Sequence, residues 1–124
     1  FTSTPVISVA SVSAANTNRD GTGTIVSALT GVAAGTRIYE VVSQFTVTST
    51  AGMIRLYISS DSGSTWKLYD ELPIAAATGS ASVPETRVSR VYANLVLPSA
   101  SHQLGVSTHN AEASTFTTIG ADLT

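Results

Sequence analysis

The chain has 124 residues, enough for one domain around one core. Charged residues make up 11% of it, less than half of the roughly 25% usual in soluble proteins, and the net charge is −2. One lysine, Lys67, and five scattered arginines form no basic track, which argues against nucleic acid and membrane surfaces as partners. The absence of cysteine removes disulfides and thiolate metal sites.

Apolar residues are 43% of the chain, and Ser and Thr fill much of the rest. Hydroxyls cost less to desolvate than ammonium or carboxylate groups, so this composition suits broad protein–protein contacts. No apolar run approaches the 18 or so residues of a membrane span, and no signal peptide is visible. The chain opens at Phe1, which implies processing or a trimmed start.

In chain order, apolar and polar residues alternate and β-branched residues dominate, the pattern of half-buried strands. A weak strand over 6–12 runs into Asn16–Gly23, which is turn chemistry throughout. Strands follow over 24–29 and 36–48, separated by a Gly31–Gly35 turn. In the second of these, Tyr39, Val41, Ser43, Phe45 and Val47 are expected on the core face. Residues 53–59 and 66–74 form a hairpin, with Asp70 on its apolar face marking a bulge or an edge and Pro73 demanding an edge. Glu85–Leu97, His102–Thr108 and Ser114–Ala121 complete the count. About eight strands with closely spaced turns predict an all-β fold, a single antiparallel β-sandwich of jelly-roll-like form. Residues 1–23 are expected as an N-terminal strand or arm with its loop, and residues 24–124 as the sandwich.

Catalytic chemistry finds little support. His109 and Asp122 can be drawn into a triad on paper, but no nucleophile elbow accompanies them. His102, His109 and Glu112 are a thin basis for a metal centre. Asp70 and Glu71 are adjacent in a strand and face opposite ways, so they cannot act as an acid and a base in one cleft. Gly21-Thr22-Gly23 opens no helix that would cradle phosphate. The expectation is a non-enzymatic protein with no cofactor and no metal.

One motif is sharp. Ser59-x-Asp61-x-Gly63-x-Thr65-Trp66 matches the Asp-box pattern at every defined position. Sialidases and related propellers carry several copies in longer chains, whereas this chain has one. The expected role is therefore structural: Asp61 accepts turn N–H groups, Gly63 supplies positive φ and Trp66 packs beneath the hairpin. Tyr57 and Tyr69, facing away from the apolar set, are expected to pair across the same hairpin as an exposed contact patch. Exposed aromatics of this kind also leave a glycan-binding alternative open.

Asp20-Gly21-Thr22-Gly23, Ser49 to Leu56, Leu95-Val96-Leu97-Pro98 and Ser107 to Glu112 resemble small structural proteins of tailed bacteriophages. The resemblance runs from about Gly21 to Leu123, with a departure at the elaborated loop Ser60–Trp66. It implies a virion location on the capsid surface, as a head decoration (cement) protein. It also implies a homotrimer seated on the major capsid protein, and it supplies no catalytic residues. A carbohydrate-binding adhesion domain and a tail or baseplate subunit are the alternatives.

Overall fold

The alternating segments form eight strands: β1 (Thr2–Val12), β2 (Val26–Thr30), β3 (Thr36–Phe45), β4 (Gly52–Ser59), β5 (Lys67–Ile74), β6 (Arg87–Leu97), β7 (Gln103–Thr108) and β8 (Ser114–Leu123). This computed structural model describes residues 2–124, with side chains from Thr4 onward. All strand pairings are antiparallel, in two four-stranded sheets ordered β1-β8-β3-β6 and β2-β7-β4-β5. Among the described residues, only the β4–β5 connection stays within one sheet; every other link crosses between sheets. That is jelly-roll winding.

The core lies between the sheets. Ile38, Val41, Phe45, Leu95, Leu97 and Phe116 of the first sheet meet Ile54, Leu56, Leu72, Ile74, Leu104 and Val106 of the second. The two open sides are pinned differently. On one side, Ser8 Oγ donates to the Ala28 carbonyl and joins β1 to β2. On the other, Asp70 of β5 accepts from Tyr92 (3.0 Å) and pairs with Arg90 (3.2 Å) of β6, while the Tyr69 and Tyr92 rings meet at 5.8 Å. Burial, and then the hydrogen bond to the Asp70 carboxylate, raise the Tyr92 hydroxyl well above the usual tyrosine range.

Two bulges change which side chains face inward. In β3 the register with both neighbours slips between Ile38 and Glu40. Thr36 and Ile38 point inward before it, and Val41, Ser43 and Phe45 after it. Tyr39 and Val47, expected in the core, are exposed. A bulge breaks the period of two, and single-sequence alternation carries no sign of it. In β5, Leu56 faces Asp70 but Tyr57 faces Leu68, so Tyr69 is the extra residue. Asp70 thus lies beside a bulge on an edge strand, and Pro73 is on the same edge.

Of the strand or arm expected at the N-terminus, the structure shows the strand, as an edge of the first sheet. β1 pairs with β8 without interruption from Pro5↔Ala121 to Val12↔Ser114.

Candidate functional site

The β4–β5 turn assembles the Asp-box as a closed set of local bonds. Ser59 Oγ donates to Asp61 Oδ1 at 2.7 Å and accepts the Gly63 N–H at 2.8 Å. Asp61 accepts the Thr65 N–H at 2.9 Å and the Thr65 hydroxyl at 2.6 Å. Gly63 has φ 88° and Ser62 φ 60°, so two consecutive residues take left-handed geometry. The Thr65 hydroxyl first, then the Thr65 N–H and the Ser59 hydroxyl, hold the Asp61 carboxyl at about 2. Because this lies below the unfolded value, the carboxylate stabilises the fold above about pH 4, and that contribution fades as pH falls through about 2. Asp61→Asn is therefore expected to melt below the parent at pH 7, with the gap closing between pH 4 and pH 2 in thermal scans. An equal gap at both ends would mean that the carboxylate charge plays no part.

Trp66 leaves this turn and lies across the outer face of the second sheet. A Cβ added at Gly105 of β7 would sit 2.7 Å from Trp66 Cζ3 and 2.6 Å from Ile25 Cγ2, so the missing side chain makes the seat for the ring. The β1–β2 loop, residues 13–25, covers the part of that face around Arg55 and Tyr57. Asn16 is its anchor: it is buried, its N–H donates to the Thr108 carbonyl at 2.9 Å, and its Nδ2 donates to the Thr22 and Thr24 carbonyls at 3.0 Å. Arg55 of β4 donates to the Asn16 carbonyl at 3.3 Å and to Glu71 at 2.8 Å. Arg19 from the loop reaches the same Glu71 oxygen at 2.8 Å. Burial raises the Glu71 carboxyl, but the hydrogen bonds and charges of Arg55 and Arg19 outweigh it and hold Glu71 below the usual range. His109 Nδ1 faces Arg55 Nη1 at 3.3 Å, and because a guanidinium only donates, the imidazole nitrogen is the accepting side of this contact.

The Tyr57–Tyr69 patch does not exist as a surface pair. Tyr57 is 0% exposed beneath the loop, and its hydroxyl donates to the Asn18 carbonyl at 2.7 Å. Tyr69 is 46% exposed but, bulged out of register, turns to Tyr92. The loop covers one of the two tyrosines, and no local pattern in β4 announces that cover. The two asparagines in the turn-rich 16–23 stretch were the available signal.

The first sheet is the opposite case. Its outer face carries Ile7, Ile119, Glu40 and Val91 in one row across all four strands, and Val9, Thr117, Val42 and Ser89 in the next. Ile7, Val9 and Val91 are 69%, 63% and 72% exposed. Arg37 stands over the Tyr39 ring at 5.4 Å. These exposed apolar side chains lie in two adjoining rows of one sheet face. Alternation along β1 predicts which of its residues face outward, but only the sheet order places Val91 in line with Ile7.

The groups considered for catalysis are dispersed. His102 Nδ1 is 2.7 Å from Ser99 Oγ within one turn. Glu112 accepts the Thr50 N–H and hydroxyl. Asp122 accepts from Thr36, at the far end of β8 from His109. Among the described residues, no three His, Asp or Glu side chains gather as a metal set. The recess beside His109 offers ≈ 10 Å³, about one water. No protein-family model matches the chain, and no curated protein does.

Proposed function

We propose that the chain is a non-enzymatic structural subunit of a virion, a capsid decoration (cement) protein that works by self-association and by contact with the major capsid protein. The bare outer face of the first sheet carries this reading: Ile7, Val9 and Val91 stand in open solvent on a rigid platform. A platform with one acid, Glu40, in its two central rows can be covered at low desolvation cost. Much of the opposite face is taken up by the chain's own 13–25 loop and Trp66. A domain largely covered on one side and open on the other suits a subunit that sits on a shell. The glycan-binding alternative needs a row of exposed rings, and the burial of Tyr57 weakens it.

The test is position and dependence. Purified protein added to heads stripped of accessory proteins is expected to saturate them at a fixed copy number, with density over the shell in reconstructions. Val91→Lys is expected to abolish that occupancy while leaving the melting temperature unchanged. Density at the tail or baseplate, or glycan-array binding without head binding, would overturn the decoration reading.

A further inference from the structure

A jelly roll has four edge strands, and here three of them carry devices that block pairing with another chain. β2 is five residues long, slips in register between Ser27 and Leu29, and gives the Ala28 carbonyl to Ser8. β5 carries Lys67, Asp70, Pro73 and the bulge at Tyr69. β6 carries Arg87 and Arg90 and slips against β3. β1 alone is left plain. From Val6 to Val12 it reads Val-Ile-Ser-Val-Ala-Ser-Val, with no charge, proline, glycine or register shift. Its irregularities, Pro5 and the slip between Thr2 and Thr4, lie at one end.

We infer that β1 is a self-pairing edge, through which two copies of this chain join their first sheets into one eight-stranded antiparallel sheet. The occupant is a second copy because the segment is complementary to itself. Centred on Val9, an antiparallel two-fold sets Val6 opposite Val12, Ile7 opposite Ser11 and Val9 opposite Val9. Odd residues then meet odd residues, so Ile7, Val9 and Ser11 stay on the outer face in both copies. Val6, Ala10 and Val12 keep their inward orientation, and no charge is buried. The two-fold contact is isologous and closes on itself, which avoids open fibres. The apolar rows of the outer face continue across the junction, so the pair offers a platform twice as wide as one copy does.

The size of the contact sets its strength. Seven residues at about 3.3 Å each run about 23 Å, along a two-layer side with sheets about 10 Å apart. Those dimensions give a strip of roughly 230 Å² on each partner, about 500 Å² in total, which is below the size of stable specific interfaces and leaves the backbone ladder to carry the contact. Pairing is therefore concentration-dependent, and the local concentration on a particle surface would complete it. This inference rests on the self-association half of the proposed function and is independent of contact with the shell. It also predicts two-fold units, whereas the phage resemblance implies a trimer.

The absence of native cysteine makes a clean test possible. Residues opposite each other in an antiparallel ladder have Cα atoms about 4.5–5.5 Å apart, within disulfide reach. Val9→Cys is expected to form a covalent dimer under mild oxidation. Val91→Cys, equally exposed on the far edge, is expected to stay monomeric on a non-reducing gel. Light scattering of the parent is expected to move from one to two chain masses with rising concentration, and Val9→Arg to remain at one mass with an unchanged melting temperature. A mass that stays at one chain up to millimolar concentration, a trimer unaffected by Val9→Arg, or equal cross-linking of the two cysteine variants would overturn the inference. Head occupancy by the parent separates the two readings. If it binds heads as a monomer, shell contact stands without edge pairing; if the parent pairs but ignores heads, edge pairing stands without the shell.

Discussion

Replacing Arg55 with methionine is expected to lower the unfolding free energy by about 2–3 kcal/mol, measured by urea titration of Trp66 fluorescence. The guanidinium is 4% exposed and serves three elements at once: Glu71 on β5, the Asn16 carbonyl in the covering loop and His109 beyond β7. Breaking a fully buried ion pair typically costs roughly 3–5 kcal/mol, because the abandoned charge stays dry. Glu71 remains 24% exposed and keeps Arg19, which sets the expectation below that range. The loss should also be local. The Asn18 N–H, held by Asn16 Oδ1 at 3.0 Å, should exchange faster in the variant than amides in the β3–β8 ladder. Unchanged Asn18 exchange would mean that Arg55 stabilises the sheet without holding the loop.

Gly120→Ala is expected to be at least as damaging, with a loss of about 3 kcal/mol or more and weaker cooperativity. A Cβ at Gly120 would stand 2.1 Å from the Arg37 carbonyl oxygen and 3.3 Å from Ile38 Cα. Both are backbone atoms at the bulge of the central strand β3, so no rotamer change relieves the clash. Overpacking that can relax usually costs about 1–3 kcal/mol, and this site can relax only by moving the β3–β8 ladder. Gly52→Ala is the matched control. Its Cβ would meet the Asn110 amide at 2.9 Å and the His109 side chain at 3.0 Å, which can give way more readily. Equal losses in the two variants would show that the bulge is not what demands a glycine at position 120.

The two predictions test the same division of labour on opposite sheets. Arg55 works in the part of the face that the chain covers for itself. Gly120 supports the face that it leaves open, where the β3 bulge turns Tyr39 outward and Ile38 inward. If the open face is the working surface, Gly120→Ala should impair head occupancy at temperatures where the variant is still folded, and Arg55→Met should leave occupancy intact.

Much of the fold was legible in the residue order. Alternating β-branched residues, turn residues at short spacing and the absence of helical periodicity specify eight antiparallel strands, because a strand's period of two is a local property. The Asp-box was legible for the same reason: every bond of Ser59, Asp61, Gly63 and Thr65 lies within a few residues. The edge character of Pro73 followed from its missing N–H. The β3 bulge, the burial of Tyr57 and the exposure of Val91 were decided by tertiary structure alone. Each depends on a neighbour distant in sequence: Gly120 against Arg37, Asn18 over Tyr57, and β3 and β8 setting Val91 in line with Ile7. Local pattern governs which residues alternate; only the assembled sheets govern which of the alternating faces the chain covers and which it leaves open to another molecule.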